Sequence, residues 1–178
     1  MKLTPYDKSD EVEIKQLFTE VFSDAEGEPE GVLIGNLVAD LINTTEPDDI
    51  FGFVATERDQ IIGSIFFTRL IFDTPVEAFI LSPVAIRTNQ QGKGVGQQLI
   101  NYGIEQMRDM GVKLLFTYGD PSFYSKVGFR SITEDIAKAP LALSQPEGWL
   151  CQSLDGGETA PIPGKSTCVT ALNKPEYW

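Results

Sequence analysis

The chain switches between two hydrophobic periods. Ile14, Leu17, Phe18, Val21 and Phe22 recur at spacings of three and four, which predicts an amphipathic helix over residues 10–22. Asp10 and Glu13 stand as a capping box at its start. After the acidic stretch SDAEGEPEG, a second stripe of Leu33, Ile34, Leu37, Val38, Leu41 and Ile42 predicts another helix, ended by NTTEPDD. From Ile50 the pattern changes. IFGFVATE and QIIGSIFFTRLIF are rich in β-branched and aromatic residues, and RDQ between them reads as a tight hairpin turn. DTP makes the next turn and EAFILSPVAI the next strand. These segments predict an antiparallel meander whose middle strand is buried on both faces. KLTPY predicts a short first strand ended by Pro5.

Leu99, Ile100, Gly103, Ile104 and Met107 return to helical spacing over residues 95–110, with Gly111 placed as a C′ glycine. VKLLFTYG then reads as a buried strand, parallel to the strand before the helix because a helix connects the two. PSFYSKVGF predicts a short helix with Pro121 in its first turn. Beyond residue 131 the pattern weakens. WLCQSL and TCVTAL read as two more strands on either side of DGGETAPIPGKS.

Composition narrows what such a chain does. Its 178 residues suit one domain over 1–178. A chain of that length buries roughly 70% of its unfolded surface, so its core needs neither disulfide nor metal. The net charge of -12 counts against nucleic acid and against an anionic membrane surface, yet leaves room for a local anion site. There is no histidine, which removes the commonest general base and the commonest metal ligand. A base must be a carboxylate, a tyrosine, a backbone group or water. Cys151 and Cys168 lack CxxC spacing and read as free thiols in a reducing compartment. The start of the chain has no apolar signal segment, and no run approaches 18 apolar residues. The expectation is a cytoplasmic enzyme or binding module.

The stretch NQQGKGVGQQLI, Asn89–Ile100, carries the chemistry. Strand, glycine-rich loop and helix together form an anion site, because the first turn of a helix presents unpaired N–H groups. The P-loop pattern fails, since Lys93 is followed by Gly94 rather than Ser or Thr. The dinucleotide pattern fails on the spacing of Gly92, Gly94 and Gly96. What fits is Q-x-x-G-x-G at Gln91, Gly94 and Gly96, directly after SPVAI. Downstream, YGDPSFYSKVGF contains F-Y-x-K-x-G-F. With these two segments the chain resembles the GNAT superfamily of acyl-CoA-dependent N-acyltransferases, and within it a predicted bacterial N-acetyltransferase subgroup whose second motif includes G-D-P. The resemblance covers residues 3–132; residues 131–178 match loosely.

The resemblance implies an α/β (α+β) fold: a mixed, mostly antiparallel sheet of about six to seven strands flanked by helices, with two parallel central strands that splay apart. It implies acetyl-CoA as cosubstrate and no metal. Val84, Ala85 and Ile86 would offer backbone groups to the pantetheine. Gln91, Gly92, Lys93, Gly94, Val95 and Gly96 would wrap the pyrophosphate. The reaction implied is direct attack of a neutral amine, on a small molecule or peptide, at the thioester. A backbone N–H near Val84 would stabilise the oxyanion. Tyr124 matches the family's tyrosine that points at the coenzyme sulfur and is expected as general acid. The base remains open among Glu77, Asp120, Glu30 and a water chain. Glu26, Glu28 and Glu30 lie where the family's first helices edge the acceptor pocket. Without a histidine partner, Cys151 is disfavoured as a nucleophile. A non-catalytic acyl-CoA sensor would share the same cradle. Family members that pair through C-terminal strands make TCVTAL a candidate homodimer edge.

Overall fold

The computed structural model describes residues 1–178. Its strands are β1 (Lys2–Pro5), β2 (Ile50–Glu57), β3 (Gln60–Phe72), β4 (Ala78–Ile86), β5 (Leu114–Tyr118), β6 (Arg130–Ser131), β7 (Trp149–Ser153) and β8 (Ser166–Thr167). Its helices are α1 (Glu11–Glu26), α2 (Glu28–Thr44), α3 (Val95–Asp109) and α4 (Pro121–Tyr124). The strands form one 8-stranded sheet in the order β1-β2-β3-β4-β5-β7-β6, with β8 beside β3. The β4–β5 pair is parallel. The chain divides into two compact units, Met1–Phe66 with Pro83–Ile104, and Phe67–Ser82 with Glu105–Trp178, so β3 and β4 each contribute to both.

In the first unit, α1 buries Ile14, Leu17, Phe18 and Val21, and α2 buries Ile34, Leu37, Val38, Leu41 and Ile42. Phe18 is fully buried beside Phe66, with ring centroids 6.1 Å apart. Truncating a phenylalanine in such a position costs about 3–5 kcal/mol. The two helices meet at an elbow on Gly27, whose φ of 99° suits only glycine. They lie close because Gly31 and Gly35 face Thr19 and Ser23, where an added Cβ would collide. The β2–β3 hairpin turns on Arg58 and Asp59 alone, at φ 51° and 61°. That is the two-residue geometry whose twist matches the strands, here without its usual glycine.

The capping box does not form. Asp10 makes no side-chain cap bond; the Asp7 carboxylate instead accepts from Ser9 N at 2.8 Å and organises the preceding turn. Glu13 reaches the main-chain N–H of Ile61 (2.9 Å), while Arg87 Nη2 donates to the Ile61 carbonyl (2.9 Å). A part-buried strand N–H has more to gain from a carboxylate than a helix start open to water. The helix runs on to Glu26, past the expected end at residue 22, because no breaker precedes Gly27.

In the second unit, the parallel register runs from Ala78↔Leu114 to Leu81↔Thr117. β7 pairs antiparallel with β5, from Leu114↔Ser153 to Tyr118↔Trp149, and β6 pairs with β7. The segment past residue 131 completes this core. Trp149 stacks on Phe116 (5.2 Å), Trp178 packs against Trp149 (6.1 Å) and stacks on Tyr118 (5.9 Å), and both indoles donate to main-chain carbonyls. The α3 C-terminus closes as expected: Gly111 at φ 88°, with Gly111 N on Arg108 O and Val112 N on Met107 O.

WLCQSL forms a strand, but TCVTAL does not. Only Ser166–Thr167 pairs as a strand, against Ile71–Phe72 where β3 ends. The ladder runs out there, and Thr170–Leu172 turns as a 3₁₀ helix with Ala171 and Leu172 buried. TCVTAL thus contributes only Thr167 to strand pairing, rather than a full edge strand. No helix is long and apolar enough to cross a membrane.

Candidate active site

The glycine loop is shaped by its own neighbours. After β4 a 3₁₀ turn spans Thr88–Gln90, and Thr88 Oγ1 donates to Asp24 on α1 (2.7 Å). The Gln91 side chain reaches back to the Ile86 carbonyl (2.9 Å) and its main-chain N–H faces Thr88 O (3.4 Å). Gln91 thus uses its main-chain N–H and one of its two amide hydrogens to hold the loop. Gly92 and Gly94 take φ of 74° and 83°, a region that L side chains enter at a cost. Gln98 N bonds to Gly94 O (3.1 Å), which makes Gly94 the residue that caps α3. A glycine cap has no side chain to fill the first N–H groups. Those of Val95, Gly96 and Gln97 have no intrahelical partner, and the 15-residue helix places the positive end of its dipole there. Lys93 is exposed in the same loop. Val84, Ala85 and Ile86 lead into it at the end of β4, with the Ala85 and Ile86 side chains buried.

Tyr124 sits in a second constellation. Asp120 caps α4 by accepting from Ser122 N (2.9 Å) and Ser122 Oγ (2.8 Å), which starts the turn. Those bonds hold the Asp120 carboxyl below its ordinary range. Gly128 closes the turn at φ 95°. The Tyr124 ring is flanked edge-on by Phe123 (5.0 Å) and Phe129 (5.9 Å). Gly119 lies under the ring, where a Cβ would come within 2.7 Å of Cε2. Tyr124 keeps some surface exposed, yet burial of its phenol pushes the pKa up to about 12. The Thr117 hydroxyl opposes the shift and the negative charge of Asp120 adds to it. Thr117 in turn donates to Leu81 O at 2.8 Å. Leu81↔Thr117 is the last pair of the parallel register, whereas β4 itself continues to Ile86 through Pro83, which has no N–H.

The candidate carboxylates fare differently. Asp120 is near Tyr124 but fully engaged as a cap. Glu77 precedes β4, at the end away from Leu81. It is exposed, ion-paired with Arg69 (2.8 Å), and Arg69 also lies over the Phe79 ring. Glu30, in the first turn of α2, is partly buried; desolvation and then Glu26 raise its pKa. Cys151 is buried against Thr159, and burial pushes its thiol up to about 11, which keeps it protonated and unreactive at neutral pH. Thr117, a buried hydroxyl at the end of the apolar run LLF, is a polar group that sequence reading passed over.

The chain matches known proteins in the same sense. An acetyltransferase (GNAT) domain family matches residues 48–131. An Escherichia coli K12 protein described as the uncharacterized N-acetyltransferase YjhQ is 32% identical over 155 residues, which cover 83% of this chain and 81% of that protein. The crystal structure of the E. coli GNAT family N-acetyltransferase YhbS in complex with CoA has the same fold, with a TM-score of 0.83 at 21% identity over 98% of this chain and 92% of that one. A Brucella melitensis GNAT family acetyltransferase in complex with acetyl-CoA aligns with a TM-score of 0.76 at 22% identity, over 96% and 97% of the two chains.

Proposed function

The chain belongs to the GNAT acetyltransferase family, and from that premise we propose that it transfers acetyl from acetyl-CoA to a primary amine of a small molecule or peptide by direct attack. The observation that carries this reading is the helix start capped by Gly94, with its unpartnered N–H groups and an exposed lysine. An anion as charged as the coenzyme pyrophosphate is what such a group of donors suits. Val84, Ala85 and Ile86 supply main-chain groups to the pantetheine, and Gly92 to Gly96 receive the pyrophosphate.

In the reaction the amine nitrogen adds to the thioester carbon and the C–S bond breaks. Tyr124 gives its proton to the departing sulfur, and the proton lost from nitrogen returns to the phenolate through water. A phenol held near 12 is protonated at every physiological pH, so the donor is always charged with its proton. Complete transfer to an ordinary thiolate near 8.5 would be uphill by roughly 5 kcal/mol. Burial raises the thiolate as well, which narrows the gap, so donation accompanies bond cleavage rather than preceding it. Glu30, in the acidic first turn of α2, is the carboxylate assigned to meet a cationic acceptor; a water chain serves as base. Two buried free cysteines accord with a cytoplasmic setting.

The test is coenzyme A release, read with a thiol reagent, from acetyl-CoA against a panel of primary amines. Turnover with at least one amine is expected. Tight coenzyme A binding with no turnover for any amine would replace this reading with that of an acyl-CoA sensor.

A further inference from the structure

Two consecutive residues, Arg87 and Thr88, lead from β4 into the glycine loop, and each ties it to another element. Arg87 donates through Nη2 to the Ile61 carbonyl (2.9 Å), and the Ile61 N–H donates to Glu13 of α1 (2.9 Å). Thr88 donates through Oγ1 to the Asp24 carboxylate of α1 (2.7 Å). From Glu13 to Asp24 the helix turns about 20° past three full turns, so one face of α1 meets the approach to the loop near both of its ends. Just beyond Asp24, α1 ends at Glu26 and the chain turns at Gly27 into α2, whose first turn carries Glu30. Across this elbow Gly27 N bonds to Ser23 O (2.9 Å) and Gly31 N to Gly27 O (3.2 Å). Gly31 and Gly35 seat α2 so closely on Thr19 and Ser23 that its start has little room to shift without α1.

We propose that Thr88 and Asp24 are positioning residues whose contact couples the glycine loop to the α1–α2 elbow, so that coenzyme A in the loop fixes the segment that carries Glu30. This rests on the reading of Gly92 to Gly96 as the pyrophosphate cradle. The bond is charge-assisted but open to water, so in the free protein it competes with hydration of both partners. A phosphate held by the first N–H groups of α3 orders the loop behind it, including the Thr88–Gln90 turn, whose Thr88 carbonyl faces Gln91 N. A hydroxyl already held in place loses less freedom on meeting Asp24, and that difference is the coupling free energy. Linkage makes the coupling reciprocal: an amine that settles the elbow tightens coenzyme A by the same factor. Arg87 gives the loop a fixed base instead, since its partner Ile61 belongs to the same sheet.

The experiment is amide hydrogen exchange of the full chain, followed residue by residue by NMR with and without saturating coenzyme A. The amide spectrum also reports whether each variant is folded. In the wild type, coenzyme A should slow exchange at Gly94 to Gln98. It should also slow exchange about 3- to 10-fold at Gly27 and Gly31, the effect expected of one exposed hydrogen bond. Thr88→Val keeps the shape of the side chain and removes the hydroxyl. It should keep the slowing at the loop and lose it at the elbow, whereas Thr88→Ser should retain both. Asp24→Ala should match Thr88→Val, and the double variant should lose nothing more. A contact that only steadied the elbow would raise exchange at Gly27 and Gly31 equally with and without coenzyme A, and that result would overturn the inference. So would elbow slowing that survives Thr88→Val, or a wild-type elbow that coenzyme A leaves untouched while it protects the loop. If coenzyme A protects neither region and shows no calorimetric binding, the cradle reading falls and the inference with it.

Discussion

The glycine loop and the Tyr124 centre are built by opposite means. The loop is mostly contiguous: Gln91 bonds back to Ile86 and Thr88, Gly94 caps Gln98, only Thr88 reaches further, to Asp24 on α1, and the free donors are main-chain N–H groups. The Tyr124 centre gathers Leu81, Thr117, Gly119, Asp120 and Phe129 from two strands and two turns, and its working group is a desolvated side chain. Binding a phosphate needs only local backbone geometry, since every residue carries an N–H. Tuning a proton donor needs burial, and burial is never local.

The contrast predicts that the two regions fail differently. The largest effect is expected from Tyr124→Phe, which should lower kcat about 100- to 1,000-fold, the usual worth of a general acid, and leave KM for acetyl-CoA nearly unchanged. Steady-state kinetics with acetyl-CoA varied would check it, and a loss confined to KM would merge the two regions. Gly94→Val should do the reverse. A β-branched side chain at φ 83° strains the loop and narrows the approach to it, raising KM for acetyl-CoA about 30- to 100-fold with kcat largely kept. Lys93→Ala should raise KM about 3-fold at low salt and hardly at all at high salt, because the side chain is exposed and screened. The smallest effect concerns stability. The Tyr124 pKa is raised in the folded state to about 12, so the folded protein holds that proton where the unfolded chain has lost it. Its contribution is fully present below pH 10 and is lost as pH rises from 10 toward 12. Denaturant titrations at pH 9 and 11 should show a smaller fall for Tyr124→Phe than for wild type. The same shift leaves kcat without a descending limb from this group below about pH 11.

The fold was largely legible in the residues. The two helical stripes, the meander, the α3 C-cap at Gly111 and the parallel return of β5 all follow from spacing and turn chemistry. What misled was partner choice. Asp10 and Glu13 have the spacing of a capping box, yet Glu13 serves Ile61, 48 residues away. Gln91 fits the phosphate motif, yet its amide closes the loop on Ile86. Glu77 stands just before β4, and its carboxylate pairs with Arg69 across the turn. TCVTAL alternates like a strand, but only the end of β3 is there to pair with it.

The sequence by itself determined the glycine loop: Gly92 and Gly94 ahead of an amphipathic helix favour a left-handed turn that caps a helix, because positive φ is open to glycine at little cost. Only the tertiary structure decided what surrounds Tyr124. Whether its phenol ionises near 10 or near 12 depends first on how far packing buries it, then on the opposing Thr117 hydroxyl and on the charge of Asp120. None of those distances is written in the order of the residues, since packing brings them together and the low dielectric it creates sets their strength.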